Sequence, residues 1–243
     1  MVKEVISEGF KLHVEIDSPS VAGDKMVIIL TGDGKAGSKS STWTKLIPRL
    51  VEDGIEVVSF DFYSLGDSEG DNAELSLSKG IKNFQDVVNA LDIDRKRVGL
   101  VAASFGGAVA LNAVIRGIIS PDYIVLKSAA YCLYEGYEHE QGSVQNMQVW
   151  QSTGISPVTG QKYGIYLDSL RYGDYNEISK INCSTLVIHG TADTTIPFEQ
   201  SIRLCSMNNH FELYPLEDVN HNYKQHNALE RFIEKTRDFI REH

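Results

Sequence analysis

The stretch "VGLVAASFGGAVAL", Val98 to Leu111, passes from a β-like apolar run into a helix-like one, with Ser104 at the join. A serine on so short a turn has two readings. It is a nucleophile raised clear of strand and helix, or it is a small residue chosen because the two elements cross closely. A hydroxyl becomes nucleophilic only when a base removes its proton, and that base needs an acid to fix its tautomer. Partners therefore decide between the readings. In open α/β sheets functional side chains gather on the loops that follow the carboxyl ends of strands. The run "TLVI" is followed by "HGTADTTIP", with Asp193 in a turn closed by Pro197, and "FELYPL" is followed by "EDVNHNY", with His221. Ser, then Asp, then His at successive strand ends is one of the three known chain orders of a serine triad. Asp168, Asp174 and Asp218 compete for the acid's place without a strand-end turn, and His226 competes with His221 from the start of a C-terminal helix. His189, directly before Gly190, reads as structural.

The elements that must carry these residues follow from the apolar pattern. Val2 to Ile6 and Lys11 to Ile16 alternate around Glu8-Gly9, as an antiparallel hairpin at a sheet edge does. After Pro19 the runs "MVIIL", "EVVSF", Val98 to Ala102, "YIVL", "TLVI" and Phe211 to Tyr214 are short and mostly apolar on both faces. Such strands belong in a parallel sheet covered by helices on either side. Helical periods lie between them: Trp43, Leu46 and Leu50; Leu77, Ile81, Phe84 and Val88; Leu229, Phe232, Ile233 and Phe239. The expected fold is α/β, a mostly parallel doubly wound sheet in one domain over residues 1–243. From about 131 to 179 the alternation stops and tyrosines crowd in. A long insertion in a compact fold is usually functional, so this one is expected to be a cap over the site. Its aromatics either line a pocket or pack the cap onto the body; Tyr131 and Trp150 are the expected substrate contacts.

Four stretches together resemble the α/β-hydrolase family, in particular its small bacterial esterases of the cinnamoyl/feruloyl esterase and monoacylglycerol lipase type. They are "LTGDGKAG", "DFYSLGDSEG", "AASFGG", and "IHGTADTTIP" with "NHNY". Asp61, Gly66, Ser68 and Gly70 stand at the positions of that group's D-x-x-x-x-G-x-S-x-G loop. The resemblance implies Ser104 as nucleophile, His221 as general base and then acid, and Asp193 as the residue that orients the histidine. It also implies an oxyanion hole from two backbone N–H groups, those of Phe105 and Asp33, each contributing about 3 to 4 kcal/mol to the transition state.

Three departures bear on that reading. Ala102 replaces the first glycine of the G-x-S-x-G elbow; an A-x-S elbow is similar to that of the fatty-acyl thioesterases of bacterial bioluminescence, which keeps acyl-thioesters open as substrates. Thr31 stands where many members carry the histidine of an HG pair. Asp33 puts a carboxylate beside the developing oxyanion, which is repulsive unless the side chain turns away and only the N–H faces the site.

The leading expectation is a serine esterase acting on a small-molecule ester or acyl substrate, with no metal and no organic cofactor. The rivals are a thioesterase or acyltransferase with the same triad, and a ligand-binding protein on a hydrolase scaffold. The formal net charge of −10 without clusters of Lys or Arg argues against nucleic acid. Three scattered cysteines without metal-ligand spacing suggest free thiols in a reducing compartment, and no window approaches the roughly 20 apolar residues of a membrane span or forms a signal peptide. A cytoplasmic location is expected. The sequence carries no reading of oligomeric state.

Overall fold

Strands with no polar face can be accommodated only in a sheet covered on both sides, and the computed structural model, which describes every residue except Ala22, residues 92–96 and His226, builds one. Its strands are β1 (Val2–Ser7), β2 (Phe10–Asp17), β3 (Lys25–Leu30), β4 (Glu56–Phe60), β5 (Arg97–Ala103), β6 (Tyr123–Lys127), β7 (Ser184–Gly190) and β8 (Phe211–Leu216). They form one sheet in the order β1-β2-β4-β3-β5-β6-β7-β8. β1 and β2 pair as the expected hairpin, β2 lies antiparallel to β4, and all remaining pairs are parallel. Glu8 and Gly9 make the hairpin turn at positive φ. The helices are α1 (Ser41–Glu52), α2 (Leu77–Ala90), α3 (Phe105–Ile115), α4 (Leu133–Gln141), α5 (Val144–Thr153), α6 (Tyr163–Ser169), α7 (Phe198–Met207) and α8 (Ala228–Glu242).

Alternate residues of the central strands feed two separate cores. Val27, Ile29, Val101, Val125 and Ile188 point toward α1 and α8, where they meet Trp43, Leu46, Phe232 and Ile240. Ile28, Leu30, Leu100, Ala102 and Leu126 point the other way, toward Phe84 of α2, Val109 of α3 and Leu204 of α7. The period of two in a pleated strand makes this division automatic. β5 lies between β3 and β6, so α3 leaves from the middle of the sheet and is buried from Phe105 through Ala113. That explains why its sequence has no polar face.

The segment between β6 and β7 folds as α4, α5, α6 and a short 3-10 helix, Tyr175–Lys180, with one isolated bridge between Ile155 and Lys162. Its aromatic residues pack together. The Trp150 ring lies 6.0 Å from Tyr137 and 5.7 Å from both Tyr163 and Tyr166, and its Nε1 donates to the Gln161 carbonyl at 2.9 Å. Tyr131 lies 5.2 Å from the Tyr175 ring and donates its hydroxyl proton to the Asp174 carbonyl at 2.7 Å. Both Tyr131 and Trp150 have no exposed surface. The structure therefore corrects their expected role as substrate contacts: their rings and polar atoms are consumed in packing the insertion, and a fully enclosed side chain offers nothing for a ligand to touch. Among the described residues, no helix is long and apolar enough to cross a membrane.

Phe232 anchors α8 to the sheet, buried completely and edge-on to Tyr223 at 6.0 Å. Truncation to Ala leaves a cavity that the rigid sheet cannot close, so Phe232→Ala is expected to lower unfolding free energy by about 3 to 5 kcal/mol in denaturant titration. A loss below about 1 kcal/mol would contradict this placement of α8.

Candidate active site

Between Ala103, the last residue of β5, and Phe105, the first of α3, the chain has one residue in which to reverse direction, and Ser104 does so at φ 48°, ψ −119°. A side chain at positive φ costs about 1 to 3 kcal/mol and persists only where its surroundings dictate it. Here they do: the Ser104 N–H donates to the Lys127 carbonyl at 3.0 Å, and the Ser104 carbonyl accepts from Ala130 at 3.1 Å and Gly107 at 2.9 Å. The following glycines are required by clearance. A Cβ on Gly106 would lie 2.3 Å from the Thr31 carbonyl oxygen and 2.4 Å from that of Leu30, and one on Gly107 would lie 2.4 Å from the Ala129 Cβ. The helix can therefore start against the ends of β3 and β6 only without side chains there. Ala102 is buried in β5 between Leu30 and Leu126. Its methyl group faces the α2–α3 core, not Ser104, so it bears on packing rather than on substrate.

The structure brings Ser104, Asp193 and His221 together. The Nε2 of His221 lies 3.1 Å from the Ser104 Oγ, and its Nδ1 lies 2.8 Å from Asp193 Oδ2. Since an ionised carboxylate only accepts, the proton sits on Nδ1 and the Nε2 lone pair faces the hydroxyl, which is the tautomer a general base needs. Asp193 is held by four donors: His221 and His189 Nε2 on Oδ2, and the N–H groups of Thr195 and Ile196, each at 2.9 Å, on Oδ1. Burial alone would push its pKa up. The hydrogen bonds from His189 and His221, the charge of His221 and the Ile196 N–H outweigh it and hold the carboxyl well below the ordinary range.

His189 is a member of this arrangement that its sequence context did not reveal. Its Nε2 also faces the Ile196 carbonyl at 3.2 Å, which can only accept, so Nε2 carries the proton and Nδ1 accepts from the Ser201 hydroxyl at 2.6 Å. The spacing of four residues between His189 and Asp193 was visible, but only the turn ending at Pro197 brings the ring back onto the carboxylate. Of the competing residues, Asp168 is tied to Ser78 of α2, and Asp174 accepts from the Asn176 N–H. His226 lies outside the described residues.

Asp33 is exposed and stands among the residues that line the cavity holding Ser104 and His221. The surrounding protein desolvates its carboxyl and raises its pKa, opposed by its own N–H and by the charge of His221. The same charge reaches α4, where burial first and Asp33 second raise the pKa of Tyr137 and of Glu140. The N–H expected to serve an oxyanion therefore faces its own carboxylate. Thr31 is buried and donates to the Gly32 carbonyl at 3.1 Å, a loop-stiffening bond in the place of the family's imidazole.

The D-x-x-x-x-G-x-S-x-G loop proves to be a brace for this segment. Asp61, fully buried, accepts from the Ser38 N–H at 2.7 Å and the Asp67 N–H at 3.0 Å. Its carboxylate fills the space where a Cβ of Gly37 or Gly66 would stand, 2.2 Å and 2.0 Å from its oxygens, and both glycines have positive φ. Ser68 donates to the Asp61 carbonyl at 2.6 Å and accepts from the His13 N–H at 2.9 Å. The motif thus ties the loop after β3 to the loop after β4. Among the described residues, no group of three or more His, Cys, Asp or Glu is placed to hold a metal ion.

A model described as the alpha/beta hydrolase family matches residues 27–158, more than half of the chain. The chain belongs to the alpha/beta hydrolase family. It is similar to the uncharacterized protein YfhR of Escherichia coli (strain K12), with 27% identity covering 78% of this chain and 61% of that protein, so it spans less than two thirds of that relative's length. It is also similar to 2-hydroxy-6-oxo-2,4-heptadienoate hydrolase of Pseudomonas putida, with 22% identity over 93% of both chains. Among solved structures, Est1E from Butyrivibrio proteoclasticus with ferulic acid bound has the same fold, with a TM-score of 0.82, 20% identity, and 99% of this chain and 98% of that one covered. The alpha/beta hydrolase fold expected from the motifs is thus the one observed, antiparallel edge included.

Removing the Asp61 carboxylate strands the buried Ser38 N–H, at about 1 to 3 kcal/mol, and leaves the part-buried Asp67 N–H to water. Asp61→Ala is expected to lower the unfolding free energy by about 1 to 3 kcal/mol in urea titration. An unchanged midpoint would show that the two loops do not depend on this brace.

Proposed function

We propose that this member of the alpha/beta hydrolase family is a serine hydrolase cleaving a carboxylic ester through an acyl-enzyme on Ser104. The observation that carries the reading is the hydrogen-bonded line from Asp193 through His221 to the Ser104 hydroxyl, with the imidazole in the base tautomer. His221 takes the hydroxyl proton as Ser104 attacks the carbonyl, then gives it to the leaving oxygen. A water, deprotonated by the same imidazole, hydrolyses the acyl-enzyme. The Phe105 N–H, at the positive end of α3, is one oxyanion donor. The Asp33 N–H is the other once the oxyanion displaces its own carboxylate from it. The segment between β6 and β7 serves as a cap: α4 overhangs the site closely enough for Tyr137 and Glu140 to feel Asp33. Similarity to Est1E, an esterase-fold structure with ferulic acid bound, supports an ester substrate.

A second reading, hydrolysis of an acyl-thioester from an acidic carrier by the same three residues, is favoured by Lys35, Lys45, Lys127 and Lys224 along the cavity at Ser104. Oxygen ester and thioester of one acyl chain, compared by kcat/KM, separate the two.

Ser104→Ala is expected to lower kcat/KM on 4-nitrophenyl esters by at least about 10³-fold and to abolish labelling by a fluorophosphonate probe. Activity surviving the substitution would overturn the assignment, and folded wild type that takes up no label would point to a binding protein on this scaffold. Asp33→Asn removes a negative charge from beside the oxyanion and is expected to raise kcat at neutral pH by roughly two- to tenfold. A fall of that size would mean that the carboxylate assists the reaction.

A further inference from the structure

A lysine at the end of a central strand is costly to keep charged, because burial strips its water. Lys127 ends β6, is 7% exposed, and points to the α1–α8 side of the sheet beneath the His221 loop. Its Nζ donates to the His221 carbonyl at 3.1 Å and lies 3.9 Å from the centre of the Tyr223 ring. Among the described residues no carboxylate pairs with it. Asp193, whose charge it feels, is already satisfied by four donors. Burial lowers its pKa to about 8, with Asp193 opposing, so most of the charge survives at neutral pH.

This unneutralised cation lines a cavity of about 660 Å³ that also contains Ser104 and His221. Lys35 and Lys224 stand on its wall without ion-pair partners among the described residues, although the chain as a whole carries a net charge of −10. Glu230 on the same wall is engaged by Arg49 at 2.6 Å and Lys45 at 3.7 Å; Asp33 is the other carboxylate there. The first turns of α1 and α8 open onto the cavity, and neither Ser40 nor Asn227 caps its helix with a side-chain hydrogen bond. Their amide dipoles add positive potential to that of the lysines.

Which half of an ester lies here follows from proton transfer. The leaving oxygen takes its proton from His221 Nε2, so the leaving group must lie on the histidine side of the tetrahedral carbon, and the cavity is walled by His221 to Lys224. We infer that the cavity is a leaving-group subsite that selects esters whose alcohol or thiol carries an oxyacid anion, with Lys127 as the buried counter-charge. The inference rests on the serine-hydrolase reading above.

Its test compares 4-nitrophenyl acetate with the carboxylated counterpart 5-acetoxy-2-nitrobenzoate, which share an acyl group and differ by one anion on the leaving phenol. The ratio of kcat/KM, carboxylated over neutral, is expected to exceed one in wild type and to fall about tenfold in Lys127→Met, while Lys127→Arg retains most of it. A purely structural hold on the His221 loop would lower both esters together and leave the ratio unmoved, which overturns the inference. Should Lys127→Met fail to fold, the wild type still decides: 4-hydroxybenzoate is expected to inhibit competitively more strongly than 4-hydroxybenzamide, and equal inhibition overturns the subsite. Failure to hydrolyse either ester would defeat the serine-hydrolase reading; hydrolysis of the neutral ester with an unmoved ratio would defeat the anion subsite alone.

Discussion

The arrangement depends on the close approach of α3 to the ends of β3 and β6. Gly106 lies against the carbonyl oxygens of Leu30 and Thr31 with no room for a methyl group, and Gly107 does the same against Ala129. This approach forces the reversal at Ser104 and supplies the hydrogen bonds, one to the Lys127 carbonyl and one from the Ala130 N–H, that hold it at positive φ. It also brings the loop after β3 beside the serine, so the candidate nucleophile and the candidate oxyanion donors are positioned by one contact. A dense, poorly compressible interior makes such a contact a fixed dimension rather than an average.

Two buried aspartates then do related work. Each is an anion withdrawn from water and satisfied by backbone N–H groups, which is how a buried carboxylate remains tolerable. Asp61 receives only main-chain N–H donors and joins two loops. Asp193 has two main-chain donors and two histidines, so its charge fixes the tautomer and direction of His221 as well as its own turn. The difference between a brace and a candidate catalytic acid lies in those imidazoles. His189, whose proton is committed to Asp193 and Ile196 and whose Nδ1 receives Ser201, holds the carboxylate from the side away from the cavity.

Around this centre the molecule is electrostatically lopsided. Toward α4 lie Asp33, whose pKa burial raises, and Glu140, whose pKa is raised by burial and then by the charge of Asp33. Toward α1 and α8 lie Lys127 and the lysines of the cavity wall. Ser104 and His221 stand between the two fields. The insertion, whose aromatic residues pack chiefly against one another, sets the first of these fields without placing Tyr131 or Trp150 in the cavity.

Much of this was legible in the sequence, because it follows from local pattern. Strands apolar on both faces require a covered parallel sheet, the alternating Val2 to Ile16 stretch requires an edge hairpin, and strand-end loops put Ser104, Asp193 and His221 on one side of that sheet. What the sequence could not settle were directions of side chains between elements distant in the chain. The aromatics of the insertion read equally well as lining or as packing, since composition does not say which face is enclosed. Asp33 reads as an outward carboxylate on grounds of repulsion alone, but the walls that desolvate it, including α4 more than a hundred residues later, exist only after folding. Lys127 looks like the polar end of an apolar strand, and His189 like a turn residue. Only the crossing of β5, β6 and β7 gives one an unpaired charge under His221 and the other a hydrogen bond to Asp193. Pattern fixes which surface of an element is buried; the tertiary structure decides what it is buried against.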